Sequence, residues 1–138
     1  MKRQFRSILL FASALAVLGL GGAGRAEELA DTRSIILFGA NWCAPCRAEL
    51  KDLAQLVRAA VPSQVVLAWL DGRPPVKERP GVTILSREEA VAMFERIPGR
   101  NQGVPFNVIV DGDGKVCAEL REPIRTEMVA NFKATCPH

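Results

Sequence analysis

The stretch Ser-Ile-Ile-Leu-Phe-Gly-Ala-Asn-Trp-Cys-Ala-Pro-Cys, residues 34–46, joins a short apolar run to two cysteines that lie three positions apart. The run at 34–38 is apolar and β-branched, which predicts a buried strand. From Cys43 to about Val61, apolar residues recur every three or four positions, which predicts a helix that Pro62 ends. The sequence therefore predicts a strand that leads into a helix with both cysteines in its first turn.

The rest of the chain alternates between predicted strands and helices. A capping box at Ser86 and Glu89 predicts a helix that ends near Arg96, and Asp-Gly-Asp-Gly at 111–114 predicts a tight hairpin turn. Further strands are predicted at 64–70, 105–110 and 115–120, and a closing helix at 126–135. Long connections between the early strands suit parallel pairing, whereas the hairpin requires antiparallel pairing. We therefore predict an α/β fold in which helices cover both faces of a central mixed sheet.

The N-terminal segment has the order of a targeting signal. Lys2, Arg3 and Arg6 precede an apolar stretch at 8–20, and small residues then lead to Ala26. This order predicts a secretory signal peptide at 1–26, followed by one domain at 27–138. The alternative is a retained membrane anchor, for which the apolar stretch is shorter than the roughly 20 residues that span a bilayer. Both interpretations place the domain outside the cytoplasm, and we expect a periplasmic location.

The positive net charge of +3 belongs to this N-terminal segment. Four of the 18 Lys and Arg residues lie within 1–26, which contains no acidic residue, so the remainder has 14 cations against 15 acids. A nearly balanced domain without a basic stripe argues against nucleic-acid binding.

The two cysteines of the opening stretch predict redox chemistry. Cys43 lies at the start of the helix, where unpaired amides and the positive helix end stabilise a thiolate, so we predict that Cys43 is the nucleophile and Cys46 the resolving thiol. Zinc binding needs a second close pair, but Cys117 and Cys136 are distant in sequence and the only histidine is His138. We therefore predict a redox-active disulfide with no metal or other cofactor. A purely structural disulfide is the alternative.

Two motifs together resemble the thioredoxin-like superfamily. They are Trp-Cys-Ala-Pro-Cys at 42–46, after an apolar strand, and Gly-Val-Pro at 103–105, and the resemblance covers about 32–135. It implies a thioredoxin fold with Pro105 in the cis form beside the disulfide. It also implies that the backbone of Val104 pairs with an extended client segment. A trans loop proline is the alternative.

A third motif narrows the resemblance to exported thioredoxins of the TlpA/ResA type. These often carry Cys-x-x-Cys-x-x-Glu, and Glu49 follows Cys46 by three residues on the same predicted helix face. The resemblance implies that Glu49 is buried, has a raised pKa and relays protons for the cysteine pair. The alternative is an exposed glutamate that pairs with Arg47 or Lys51.

The chain also departs from the thioredoxin pattern. Thioredoxins proper usually carry a buried acid six residues before the first cysteine, where this chain has Leu37. The proton shuttle of that acid is therefore missing, and Glu49 is predicted to replace it in part. The domain is also short for the TlpA/ResA group.

The remaining cysteines predict a second disulfide. Cys117 lies in the last predicted strand, and Cys136 follows the closing helix, which packs back across the sheet in this fold. Disulfides persist outside the cytoplasm, so we expect a structural bond between these two residues. Two separate thiols are the alternative.

The combined prediction is an exported thiol–disulfide oxidoreductase, and in particular a periplasmic disulfide reductase. Its expected partners are client proteins with cysteines, which would contact Trp42, Val104 and Pro105, and a membrane thiol–electron donor. We expect a monomer, with membrane contact only if the N-terminal segment is retained. The alternatives are a disulfide oxidase or isomerase, and a copper metallochaperone or interaction module that uses the same cysteine pair.

Overall fold

The computed structural model describes residues 33–99, 101 and 103–136. The predicted signal peptide at 1–26 and the predicted start of the domain at 27–32 lie outside the described residues. Within the described ranges, no helix has both the length and the apolar character that crossing a membrane requires.

The described residues contain five strands and four α-helices. The strands are β1 (Ser34–Gly39), β2 (Gln64–Trp69), β3 (Val82–Ile84), β4 (Phe106–Val110) and β5 (Val116–Leu120). The α-helices are α1 (Ala44–Glu49), α2 (Leu53–Ala60), α3 (Arg87–Arg96) and α4 (Val129–Ala134).

The strands form one mixed sheet in the order β3-β2-β1-β4-β5. The first three strands are parallel to one another, and β4 and β5 are antiparallel to their neighbours. The predicted mixed α/β sheet is confirmed. Strand β3 was not predicted, because its three residues after Pro80 and Gly81, two half-buried and one exposed, are too few to show a periodic pattern.

Alternation along the central strand β1 separates two cores. Ile35 and Leu37 belong to the core that contacts α2 and α4, whereas Ile36 and Phe38 belong to the core beneath α3. In the second core, the rings of Phe38, Phe94 and Phe106 lie 5.2 to 6.2 Å apart. Helices therefore cover both faces of the sheet, as predicted, because β1 is apolar on both sides.

The predicted continuous helix at 43–61 is wrong in its middle. A 3₁₀ turn at Leu50–Asp52 separates α1 from α2. Side chains three apart lie directly above one another in a 3₁₀ turn. The tighter turn is therefore consistent with Leu50 and Leu53 both being buried in the same core. The closing helix also begins with a 3₁₀ turn, at Thr126–Met128, before α4.

The peptide bonds Val61–Pro62 and Val104–Pro105 are both cis. The first follows α2 and precedes β2, and the second immediately precedes β4. The sequence indicated a cis bond only for Pro105.

A disulfide joins β5 to the end of α4. Cys117 and Cys136 are bonded, with their Cα atoms 5.1 Å apart. Arg33, just before β1, donates through Nη1 to the carbonyl oxygen of Cys136 at 2.7 Å. The beginning and end of the described chain therefore meet at one edge of the domain.

Removal of the Cys117–Cys136 disulfide should lower the stability of the domain. The bond closes a loop of about 20 residues and restricts the unfolded chain, so Cys117→Ala/Cys136→Ala is expected to lose about 3 kcal/mol of unfolding free energy. Urea denaturation without reductant measures this loss. Cys43→Ala/Cys46→Ala is the matched control, because its bond closes a much shorter loop and its removal should cost less. Equal unfolding free energies for the Cys117→Ala/Cys136→Ala protein and the wild type would contradict the prediction.

Candidate active site

The end of β1 is fixed by a close approach between Gly39 and Trp69. A Cβ atom on Gly39 would lie 2.4 Å from the ring of Trp69, so only glycine fits beside this buried side chain. The indole Nε1 of Trp69 donates to Asn41 Oδ1 at 3.1 Å. The amide of Asn41 donates to the carboxylate of Asp71 at 2.8 Å. These contacts hold the short turn that connects the end of β1 to the first cysteine.

Cys43 caps the first turn of α1. Its Sγ accepts a hydrogen bond from the amide of Cys46 at 3.2 Å. Pro45 lies in the first turn, where a backbone donor is not needed. Cys43 and Cys46 form a disulfide with their Cα atoms 5.3 Å apart. Cys46 is fully buried and Cys43 is 3% exposed, so an incoming sulfur meets Cys43 first.

The predicted client-contacting residues Trp42, Val104 and Pro105 are all apolar. Trp42, directly before Cys43, is 70% exposed, which is unusual for so large an apolar side chain. Val104 packs against the core cluster to which both cysteines belong, and Pro105 follows it through the cis bond. Val104 also packs against the core beneath α3, so it lies where the two cores meet.

Glu49 is buried at the end of α1, with 6% of its surface exposed. Its Oε1 accepts hydrogen bonds from the amide of Ile124 at 2.6 Å and from Asn107 Nδ2 at 2.9 Å. Burial raises the pKa of Glu49 to about 7, and the two hydrogen bonds oppose the rise because they favour the charged form. The alternative of an exposed glutamate paired with Arg47 or Lys51 does not hold, and Arg47 instead donates to the carbonyl oxygen of Asn41.

Asn107 is a site residue that the sequence analysis missed. It is fully buried in β4, opposite Leu37 of β1, and its Nδ2 donates to Glu49 and to the carbonyl oxygen of Glu122. The available signal was one amide within the otherwise apolar strand 106–110. Asn107 thus supplies a polar group beside the position where thioredoxins carry their buried acid.

The second disulfide lies away from this site. Cys117 lies between the two β5 residues that pair with Val110 and Ile109 of β4. Val110 and Ile109 also pair with the first two residues of β1. The reactive pair follows the other end of β1. Within the part of the chain that the structure describes, no three or more His, Cys, Asp or Glu side chains are grouped so that they could hold a metal ion.

Comparison with known proteins gives a fold but no close relative. No protein-family model and no curated protein matches the chain. Among solved structures, StoA from Bacillus subtilis has a TM-score of 0.53 at 15% identity, covering 75% of this chain and 83% of StoA. A thio-disulfide isomerase from Thermus thermophilus has a TM-score of 0.51 at 20% identity, covering 76% of this chain and 80% of its own. A secreted thiol-disulfide isomerase from Corynebacterium glutamicum has a TM-score of 0.52 at 16% identity, covering 75% of this chain and 70% of the isomerase.

Fold and site together define a thioredoxin-fold protein with a Cys-x-x-Cys disulfide between the central strand and the helix that follows it. The predicted thioredoxin fold is confirmed. Two of these three structures are described as a thio-disulfide isomerase and a thiol-disulfide isomerase.

The raised pKa of Glu49 predicts a pH-dependent stability. The folded chain binds this proton more tightly than the unfolded chain, whose ordinary value is 4.5. Glu49 therefore contributes fully to stability below about pH 4.5, and the contribution is lost as the pH rises through about 7. In Glu49→Gln this loss is absent. From pH 4.5 to 8, the unfolding free energy of the variant should rise relative to wild type by something on the order of 3 kcal/mol.

Urea denaturation at a series of pH values measures this difference. Glu95→Gln, which removes an exposed carboxylate on α3, is the control for the loss of one charge. Parallel pH profiles for Glu49→Gln and the wild type would show that burial does not perturb the carboxyl group as described.

Proposed function

We propose that this protein is an exported thiol–disulfide oxidoreductase in which Cys43 and Cys46 alternate between a disulfide and a dithiol. The observation that carries the proposal is the disulfide that caps the helix after the central strand of a thioredoxin fold. Cys43 is the more accessible sulfur, and an apolar, exposed Trp42 lies next to it. This arrangement suits attack on the disulfide of another protein.

The reaction is a two-step exchange. The thiolate of Cys43 attacks one sulfur of a client disulfide, forming a mixed disulfide and releasing the other client sulfur as a thiolate. The thiolate of Cys46 then attacks Cys43 Sγ, which frees the second client sulfur and forms the Cys43–Cys46 disulfide. Two electrons pass to the client. The amide of Cys46 donates to Cys43 Sγ and favours its thiolate form.

Glu49 supports the second step as a proton acceptor. Cys46 must lose its proton before it attacks, and it is fully buried, so water has little access to it. Glu49 lies three residues further along the helix and is itself buried. Since its pKa is raised to about 7, its carboxylate accepts a proton at neutral pH more readily than an ordinary glutamate does.

Clients bind at the apolar surface beside the disulfide. Val104 precedes β4 and lies outside the strand pairs that begin at Phe106, so an extended client segment can add there by backbone hydrogen bonds. Trp42 supplies an exposed aromatic contact at the rim.

The direction that we propose is reduction of client disulfides in the periplasm. The charged, apolar and small-residue order of 1–26 supports export, as does similarity to an isomerase described as secreted. The Ala-Pro pair between the cysteines resembles that of reducing thioredoxins. A membrane thiol–electron donor would return the disulfide to the dithiol form after each cycle.

Client trapping tests the mechanism. In Cys46→Ser the mixed disulfide on Cys43 cannot be resolved, so the full-length variant expressed in a bacterial host should retain exported proteins in covalent adducts. Mass spectrometry after non-reducing electrophoresis identifies them. Cys43→Ser should retain none, because it lacks the attacking sulfur.

Two further variants sharpen this test. Cys117→Ser, alone and with Cys136→Ser, should leave insulin reduction nearly unchanged if the second disulfide is only structural. If Cys46→Ser captures no client while Cys43→Ser keeps full reductase activity, the proposed exchange is wrong.

The reduction potential of the Cys43–Cys46 pair tests the direction. Equilibration with glutathione or dithiothreitol should give a value near or below that of thioredoxin, roughly −270 mV. A value near the roughly −120 mV of DsbA would instead indicate an oxidase. Cys117→Ser/Cys136→Ser is the background of choice, because only the Cys43–Cys46 pair then titrates.

A further inference from the structure

Asn107 presents an energetic problem that the fold alone does not explain. It is the only polar side chain in the apolar strand β4, it is fully buried, and it faces the same core as the two reactive cysteines. Ile109, two positions along the strand, lies in that core as an ordinary apolar residue. Burying an amide is unfavourable unless its hydrogen-bonding groups find partners. The site therefore retains a costly group where an aliphatic side chain would pack well.

The hydrogen bonds of this amide are one-sided. Nδ2 donates to Glu49 Oε1 at 2.9 Å and to the carbonyl oxygen of Glu122 at 3.0 Å. Asn107 Oδ1 is also buried, and it has no hydrogen-bond partner within the described part of the chain. Buried amides generally bond at both ends. If the side-chain amide were rotated by half a turn, Oδ1 would face the oxygen atoms of Glu49 and Glu122, which are acceptors. The side chain therefore keeps the orientation in which Nδ2 donates both hydrogen bonds.

Glu49 has no cation to compensate its charge among the described residues. On its own helix, Arg47 donates to the carbonyl oxygen of Asn41, and Lys51 in the following 3₁₀ turn is exposed. Across from it, Glu122 presents only its backbone oxygen to Asn107.

The other charged side chains near that segment are also engaged elsewhere. Arg121 donates to the carbonyl oxygen of Gly99 and forms an ion pair with Glu119. Arg125 forms an ion pair with Glu127. Lys133 donates to the carbonyl oxygens at the end of α2. The facing position on β1 is the apolar Leu37. Two neutral donors, the amide of Ile124 and the side chain of Asn107, therefore stabilise the carboxylate.

We propose that Asn107 is a positioning residue for proton transfer at Glu49: it holds Oε1 from the β4 side and stabilises the carboxylate that receives the proton of Cys46. This inference rests on the proposed function. In the transfer, the S–H bond of Cys46 breaks and a new O–H bond forms on Glu49, leaving a thiolate and a neutral carboxylic acid. The acid returns its proton to solvent or to a departing thiolate before the next cycle.

The backbone amide of Ile124 cannot perform this role alone. The amide of Ile124 and the side chain of Asn107 both donate to Glu49 Oε1. The two donors hold this oxygen from two directions, because they belong to different elements. Loss of Asn107 would leave the carboxylate with one donor and a drier surrounding. Both changes favour the neutral acid.

Asn107→Leu tests the proposal because it removes the donor while approximately filling the space. Titration of Glu49 by ¹³C NMR in the oxidised protein should show a pKa at least about one unit higher than in the wild type. The pH profile of insulin reduction should move upward with it, giving at neutral pH a rate about fivefold lower that recovers as the pH rises. Asn107→Asp, nearly identical in shape, replaces the donor by an acceptor and should raise the pKa further.

Matched variants separate positioning from stability. Val108→Ala alters the next residue of β4, whose side chain lies in the other core, so it should lower stability without moving the Glu49 titration or the pH profile. In a Glu49→Gln background, Asn107→Leu should have no further effect on the pH profile.

An unchanged Glu49 titration in both Asn107 variants would overturn the proposal, as would a shifted titration with an unmoved pH profile. A pH shift that persists in the Glu49→Gln background would also overturn it. Because NMR titration does not depend on activity, these outcomes are distinct from failure of client trapping, which would refute the proposed function itself. If Asn107→Leu does not fold, the nearly isosteric Asn107→Asp provides the same readouts.

Discussion

The close approach of Gly39 to Trp69 is the constraint on which the site depends. It brings the ends of two parallel strands together, and the indole then bonds Asn41 in the turn that follows. That turn determines where α1 begins and therefore where Cys43 lies. A larger residue at position 39 would separate the strand ends, because overpacking of a buried aromatic ring displaces its neighbours. The chemistry at the helix start thus depends on a contact between two residues with no chemical role of their own.

The site unites elements that are distant in sequence through one oxygen atom. Glu49 Oε1 is bonded from β4 by Asn107 and from the segment before α4 by Ile124. The helix that begins at the disulfide is thereby tied to the second half of the chain. The buried acid of this chain lies on a helix and is held by two neutral donors, and the strand position opposite Asn107 is the apolar Leu37.

Much of the fold could be predicted from sequence because its strands are apolar and its turns carry Gly, Pro and Asp at regular intervals. Strand β3 was not predicted because a strand of three residues is too short to show a period. The break at Leu50–Asp52 escaped because a 3₁₀ turn and an α-helix share the same apolar spacing over so few residues. The cysteine pair was evident from local spacing alone. Asn107 was not, since its importance arises from a partner 58 positions away that only the folded chain brings near.

The hydrogen bond from Arg33 to Cys136 has a practical consequence for building on this scaffold. Arg33 and Cys136 lie close together where β1 begins, whereas the reactive sulfurs follow the opposite end of that strand. A tether or an affinity tag joined to the backbone at Arg33 or Cys136 would attach on the side remote from the disulfide. Immobilised on a bead or a lipid surface in this way, the protein would present its sulfurs outward.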